Sequence, residues 1–136
     1  QDKELMQKIS DDTKAYLLAS ISAKPYLEGY RQLFSNPEFN IFYKAPALII
    51  TFAKPEGPNP ACDCALAAQN IMLAAHSLGL GSCWIGFAQM SLNTPELKEQ
   101  LGIPKEYTIV APLIIGHPAK ESVAIIKREP EILFWK

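Results

Sequence analysis

A chain of 136 residues with 13 basic and 14 acidic side chains has a formal net charge of −1, which offers nucleic acid no basic footprint and a membrane no polybasic patch. Apolar residues make up 49% and charged residues 20%, an ordinary globular balance that suits one domain with a sizeable core. No apolar run reaches membrane-spanning length, Gln1-Asp2-Lys3-Glu4 lacks the pattern of a signal peptide, and three cysteines speak for a reducing, cytoplasmic setting rather than a disulfide framework.

Helical periodicity runs through residues 2–21 by way of Leu5, Met6, Ile9, Tyr16, Leu17 and Ile21, and predicts two short helices broken near Ser10-Asp11-Asp12. Residues 22–45 mix six aromatics with Pro25, Gly29 and Pro37, as expected of a partly helical covering segment. Pro46 to Ala53 is a continuous, branched apolar run that predicts a strand covered on both faces. Three prolines and a glycine then mark Lys54–Pro60 as a loop. Residues 63–78 predict a long, nearly all-apolar helix with Asp63 as N-cap and Gly79 in the left-handed position that ends it. Only Gln69, Asn70, His76 and Ser77 put polarity on this helix, so it needs cover nearly all round. A Gly-rich turn follows and delivers a short strand ending at Gly86. Thr94-Pro95-Glu96 opens a short helix that Gly102 closes. Tyr107–Ile115 is a strand in which Pro112 implies an edge position or a bulge. Ser122–Ile126 reads as a last short strand, and Ile132–Trp135 as an apolar tail in need of a docking place. Elements in this order make an α+β layered domain.

Few residues offer chemistry. Gly79-x-Gly81 lies after a helix and before a strand, the reverse of a dinucleotide-binding fingerprint. Cys62 and Cys64 flank Asp63 at a helix start, where the dipole favours a thiolate, yet a metal would need Cys83, His76 or His117 to complete its shell. Two small residues beside a packed helix is the better account, and no metal site is expected. His76 is expected at an interface or in a hydrogen bond, and His117 in a loop. There is no Ser/His/Asp set with suggestive context, no phosphate-binding Gly-Lys-Ser/Thr loop and no carboxylate pair. The chain therefore lacks acid–base machinery of its own.

Helix 63–78 followed by Gly79-Leu80-Gly81-Ser82-Cys83-Trp84-Ile85-Gly86 resembles the central helix and flavin loop of the FMN-dependent nitroreductase family. Ala45-Pro46-Ala47-Leu48-Ile49-Ile50 upstream, and Leu113-Ile114-Ile115-Gly116-His117-Pro118 with Lys127-Arg128 downstream, match it as well. The resemblance implies a layered fold with a mixed, mostly antiparallel sheet around a long central helix. It implies FMN as cofactor, with Cys83 and Trp84 along the ring, backbone amides of Ile85 and Gly86 at the flavin edge, and Arg128 with Lys127 at the phosphate. It implies NAD(P)H as reductant, a nitroaromatic, quinone or similar small acceptor, and a homodimer whose subunits share each site. Catalytic side chains are not expected, because the flavin N5 carries the hydride. The family's Arg-x-Ser-x-Arg and Asn-x-Gln-Pro-Trp segments do not occur, so residues 1–136 are expected to form one domain truncated at its N-terminus. Two other readings compete with the oxidoreductase: a flavin-sequestering module with little turnover, and a dimeric fragment that binds nothing.

Overall fold

The computed structural model describes residues 2–120 and 129–134. The first helix, α1 (Lys3–Ser20), is continuous where a break near Ser10-Asp11-Asp12 was expected. Asp2 caps it by accepting the Leu5 amide at 2.9 Å. The polar residues that suggested a break are used otherwise. The Ser10 hydroxyl accepts the Ile41 amide at 2.9 Å, and Asp11 accepts from Gln7 and pairs with Lys14 one turn on. Those partners hold the Asp11 carboxyl below the usual carboxylate range. Tertiary bonding and helix-face pairs thus overrule local propensity. A 3-10 turn (Pro25–Tyr30) and the short α2 (Arg31–Ser35) form the covering segment foreseen for residues 22–45.

Three antiparallel strands make one sheet in the order β1-β3-β2, from β1 (Ala47–Ala53), β2 (Gly81–Trp84) and β3 (Thr108–Gly116). Between Thr51 and Phe52 the β1–β3 register shifts, because Thr51 faces Ala111 while Phe52 faces Ile109. Val110 is the extra residue of this bulge. A bulge reverses which face each side chain takes. Ile109 accordingly joins Ile114 in the main core, whereas Ala111 and Leu113 between them pack on the opposite face.

Pro112 is not at an edge, since β3 is the central strand. Trp84 pairs with Leu113, so Ile85 stands opposite Pro112 and donates its amide to the Pro112 carbonyl at 2.8 Å. An ordinary residue at 112 would return the bond to the Ile85 carbonyl. Proline cannot, and that carbonyl instead accepts the Ala88 amide at 3.1 Å and begins α4 (Gly86–Leu92). The strand therefore does not run to Gly86, and the helix starting there went unforeseen.

Helices cover both faces of the sheet. On one, α1 and α4 build the main core with Ile9, Leu17, Phe34, Phe42 and Leu92, joined by a buried Thr13–Ser91 hydroxyl contact of 2.7 Å. On the other lies α3 (Pro60–Ser77), through Ala68 and Met72. This helix begins three residues before Asp63, because Pro60 is preset for the first helical position, and Asp63 sits in the first turn. Gly79, at φ 72°, ends it as expected. Helix α5 (Pro95–Gln100) carries its Thr94 cap, whose hydroxyl accepts the Leu97 amide, and Gly102 lies beyond it at φ 66°. The strand expected at 122–126 lies outside the described residues.

Gly116, the register partner of Gly81, allows one close approach: a Cβ there would lie 2.8 Å from Cδ of Pro46. That ring is tied to the backbone and yields little. Gly116→Ala should lower the unfolding free energy by about 1–3 kcal/mol, as overpacking does. Gly29→Ala, where a Cβ meets nothing within 4 Å, is the control. Equal denaturation midpoints for the two variants would show that the Pro46 contact relaxes without cost.

Candidate functional site

A groove of about 520 Å³ opens where β2 gives way to α4. Its walls are mostly apolar and aromatic: Tyr26, Tyr43, Trp84 and Phe87, with Ile41 and Met90. Three of them are held by different local contacts. Phe87 is fixed by edge contacts to Tyr30 at 5.0 Å and Phe34 at 5.1 Å. Met90 is held at its sulfur by the Lys24 ammonium at 3.0 Å, with the Tyr26 hydroxyl 3.8 Å away. Trp84 serves twice, packing on the Ala68-Ala111-Leu113 cluster and lining the groove.

Of the flavin-loop residues, Cys83, Trp84, Ile85 and Gly86 all line this groove. Their roles differ. The Ile85 side chain is 5% exposed and belongs to the core, and its amide is committed to Pro112. Of the two amides implied by resemblance, only that of Gly86 is left, at the first helical position, where an N–H has no intrahelical acceptor. Beyond its chain neighbours and its own helix backbone, a Cβ on Gly86 would meet nothing within 4 Å. Protein packing therefore does not demand glycine at this position.

A second groove of about 390 Å³ continues from the first, sharing Tyr43 and Cys83 with it. Lys44, Ser82, His117 and the Gly81 and Gly116 backbone make it the more polar of the two. No carboxylate lines either groove among the described residues. The turn between them is strained: Tyr43 and Lys44 have φ of 53° and 56°, which costs on the order of 1–3 kcal/mol per residue for side chains of this kind. Asn40, 7% exposed, holds that turn. Its Oδ1 accepts the amides of Phe42 at 2.8 Å and Lys44 at 3.4 Å, and its Nδ2 donates to Gln7 at 2.8 Å.

His117 is in a loop and His76 is exposed in the last turn of α3. No three His, Cys, Asp or Glu side chains gather as a metal site among the described residues. The three cysteines are unpaired, and burial, then Asp63, pushes the Cys64 thiol up, opposite to the dipole effect expected at a helix start. Lys127 and Arg128 lie outside the described residues. Tyr26, Ile41, Tyr43, Phe87 and Met90 were not foreseen as lining; the density of aromatics in residues 22–45 was the available signal. No helix among the described residues is long and apolar enough to cross a membrane.

Comparison with known proteins gives one answer. The Nitroreductase family model matches residues 1–117. The chain is 43% identical over 60 residues to an FMN reductase (NADPH) of Bacillus subtilis, a stretch that covers 44% of this chain and 23% of that protein. It is 38% identical over 58 residues to an NADPH-flavin oxidoreductase of Vibrio harveyi, covering 43% of this chain and 23% of that one. Among solved structures, a nitroreductase with bound FMN from Bacteroides fragilis superposes with a TM-score of 0.73 at 26% identity, over 92% of this chain and 66% of the other. The match spans between 23% and 34% of the lengths of the curated relatives.

Proposed function

We propose that this chain, which belongs to the nitroreductase family by the match across residues 1–117, binds FMN in its two joined grooves and acts as an FMN-dependent oxidoreductase. One observation carries the reading: an aromatic-walled groove, bare at Gly86, runs into a polar groove at Tyr43 and Cys83. A planar ring with a polar tail has that shape. Bound there, FMN would supply hydride transfer, from NAD(P)H and then, in a ping-pong order, to a nitroaromatic, quinone or similar small acceptor. The chain's own part is binding, orientation and exclusion of water. Tyr26, Trp84 and Phe87 supply the walls for the ring, Tyr43 stands where the two grooves join, and the Gly86 amide supplies a donor toward the flavin edge. Lys127 and Arg128 would hold the phosphate, Arg by its planar fork. Among the described residues no carboxylate lines the grooves, which suits chemistry in which the protein moves no proton by a dedicated acid. Family relatives bear names of the same chemistry, FMN reductase (NADPH) and NADPH-flavin oxidoreductase.

We read residues 1–136 as one domain of a homodimer. Support comes from Leu66, Leu73 and Leu78 on α3 and its C-terminal end, which remain 66%, 58% and 75% exposed, and from Ile132 and Leu133, equally uncovered. Unpaired cysteines suit a reducing, cytoplasmic setting.

Titration with FMN, followed by absorbance and fluorescence, should reach one FMN per chain; no spectral change at any ratio would overturn the reading. NAD(P)H oxidation on addition of a quinone separates turnover from flavin storage. Arg128→Ala should weaken FMN binding by about 1.5–3 kcal/mol, the range of a charge-assisted hydrogen bond, and leave riboflavin unaffected. Equal losses for both ligands would mean that Arg128 acts through folding.

A further inference from the structure

Among the described residues, Tyr43 and Lys44 are the two other than glycine with positive φ. Glycine or asparagine takes that conformation with little strain, so a turn that merely joined Phe42 to Pro46 would have no use for tyrosine and lysine there. Both side chains border the grooves, Tyr43 at the junction of the two and Lys44 in the second. The Tyr43 residue is 63% exposed, and its ring is braced at its edge by Phe39 at 5.8 Å, which leaves most of it to a ligand. Strain of this kind persists only where the surroundings over-determine it. Here they do. Asn40 accepts the amides on either side of Tyr43, its own carbonyl accepts the Tyr43 amide at 2.9 Å, and Gln7 ties the Asn40 side chain to α1.

We propose that Asn40 is a positioning residue that locks Tyr43 across the junction of the two grooves, where the tyrosine ring selects ligands long enough to fill both. The proposal rests on the flavin reading and adds to it a determinant of ligand choice. A ligand confined to the first groove can shift within it, whereas one that passes the junction must lie against the Tyr43 ring.

The test uses FMN, which spans ring and tail, and lumiflavin, which has the ring alone, on the full chain and four variants. Tyr43→Asn places a residue tolerant of left-handed backbone at the strained position, so its thermal midpoint should stay level or rise. Its FMN dissociation constant should nevertheless rise about tenfold or more, the scale of one lost aromatic contact, while that of lumiflavin changes by less than about threefold. Tyr43→Phe keeps the ring and should bind FMN like the parent. Asn40→Ala should mimic Tyr43→Asn in binding, and Asn40→Asp, which keeps the acceptor for both amides but loses the donor to Gln7, should bind FMN with an affinity between those of Asn40→Ala and the parent. If the parent takes up no FMN, the flavin reading falls and this proposal with it. If the parent binds FMN and Tyr43→Asn binds it equally well, this proposal alone is overturned. Equal losses for FMN and lumiflavin would also overturn it, because the ring would then make no selection.

Discussion

Gly86→Val should weaken FMN binding roughly a hundredfold while the chain stays folded. The reason is an asymmetry around one atom. Beyond its chain neighbours and its own helix backbone, a Cβ at Gly86 would meet nothing within 4 Å, so a valine there has open space at its root. The same branched side chain would stand in the mouth of the groove, at the amide assigned to the flavin edge. A ligand forced off that amide loses its donor and its close approach together, about 3 kcal/mol or roughly a hundredfold in affinity. Gly86→Ala should fall between the parent and valine. The measurement is FMN titration beside thermal unfolding of each variant. Should the valine variant bind FMN as the parent does, the ring lies elsewhere and the assignment of Gly86 is lost.

The second large effect concerns association. Leu66 and Leu73 are seven residues apart on α3, on one side of the helix, and both are more than half exposed. Met72 between them is different: it packs with Trp84 against Ala68, Ala111 and Leu113, so a charge there would attack the fold itself. Leu66→Glu with Leu73→Glu leaves that cluster intact. In a two-fold dimer each substitution counts twice, and burial of each leucine contributes about 1.5–3 kcal/mol, so the dissociation constant should rise by roughly a thousandfold or more. Light scattering at micromolar concentration should give a dimer for the parent and a folded monomer for the variant. A monomeric parent would remove the shared-site reading, and a dimeric variant would move the interface off α3.

Much of the fold could be read where one residue has one physical role. Thr94-Pro95 starts α5, Gly79 and Gly102 take left-handed backbone, and the branched run 47–53 is a strand. Reading failed where a distant partner decides. Ser10, Asp11 and Asp12 argue locally against a helix, but the Ile41 amide, out of reach of any local rule, takes up Ser10. The bulge at Val110, which sets the face of Ile109, depends on pairing with β1. The site divides in the same way. Cys83 to Gly86 form a contiguous motif and stood out, whereas Tyr26, Ile41 and Tyr43 reach the groove from a segment whose turn is held by Asn40.

Pro112 sets stability and access against each other. Strand formers such as valine would be better residues for the middle of a sheet, and drift toward them would strengthen the fold. A residue with an amide at 112 would also offer a donor to the Ile85 carbonyl, favour one more β2 pair and compete with the bond that starts α4. The first turn of α4 would weaken as that pair strengthened, and Gly86 would be drawn toward the strand. A change that looks beneficial by every measure of the isolated sheet would reshape the groove where β2 gives way to α4.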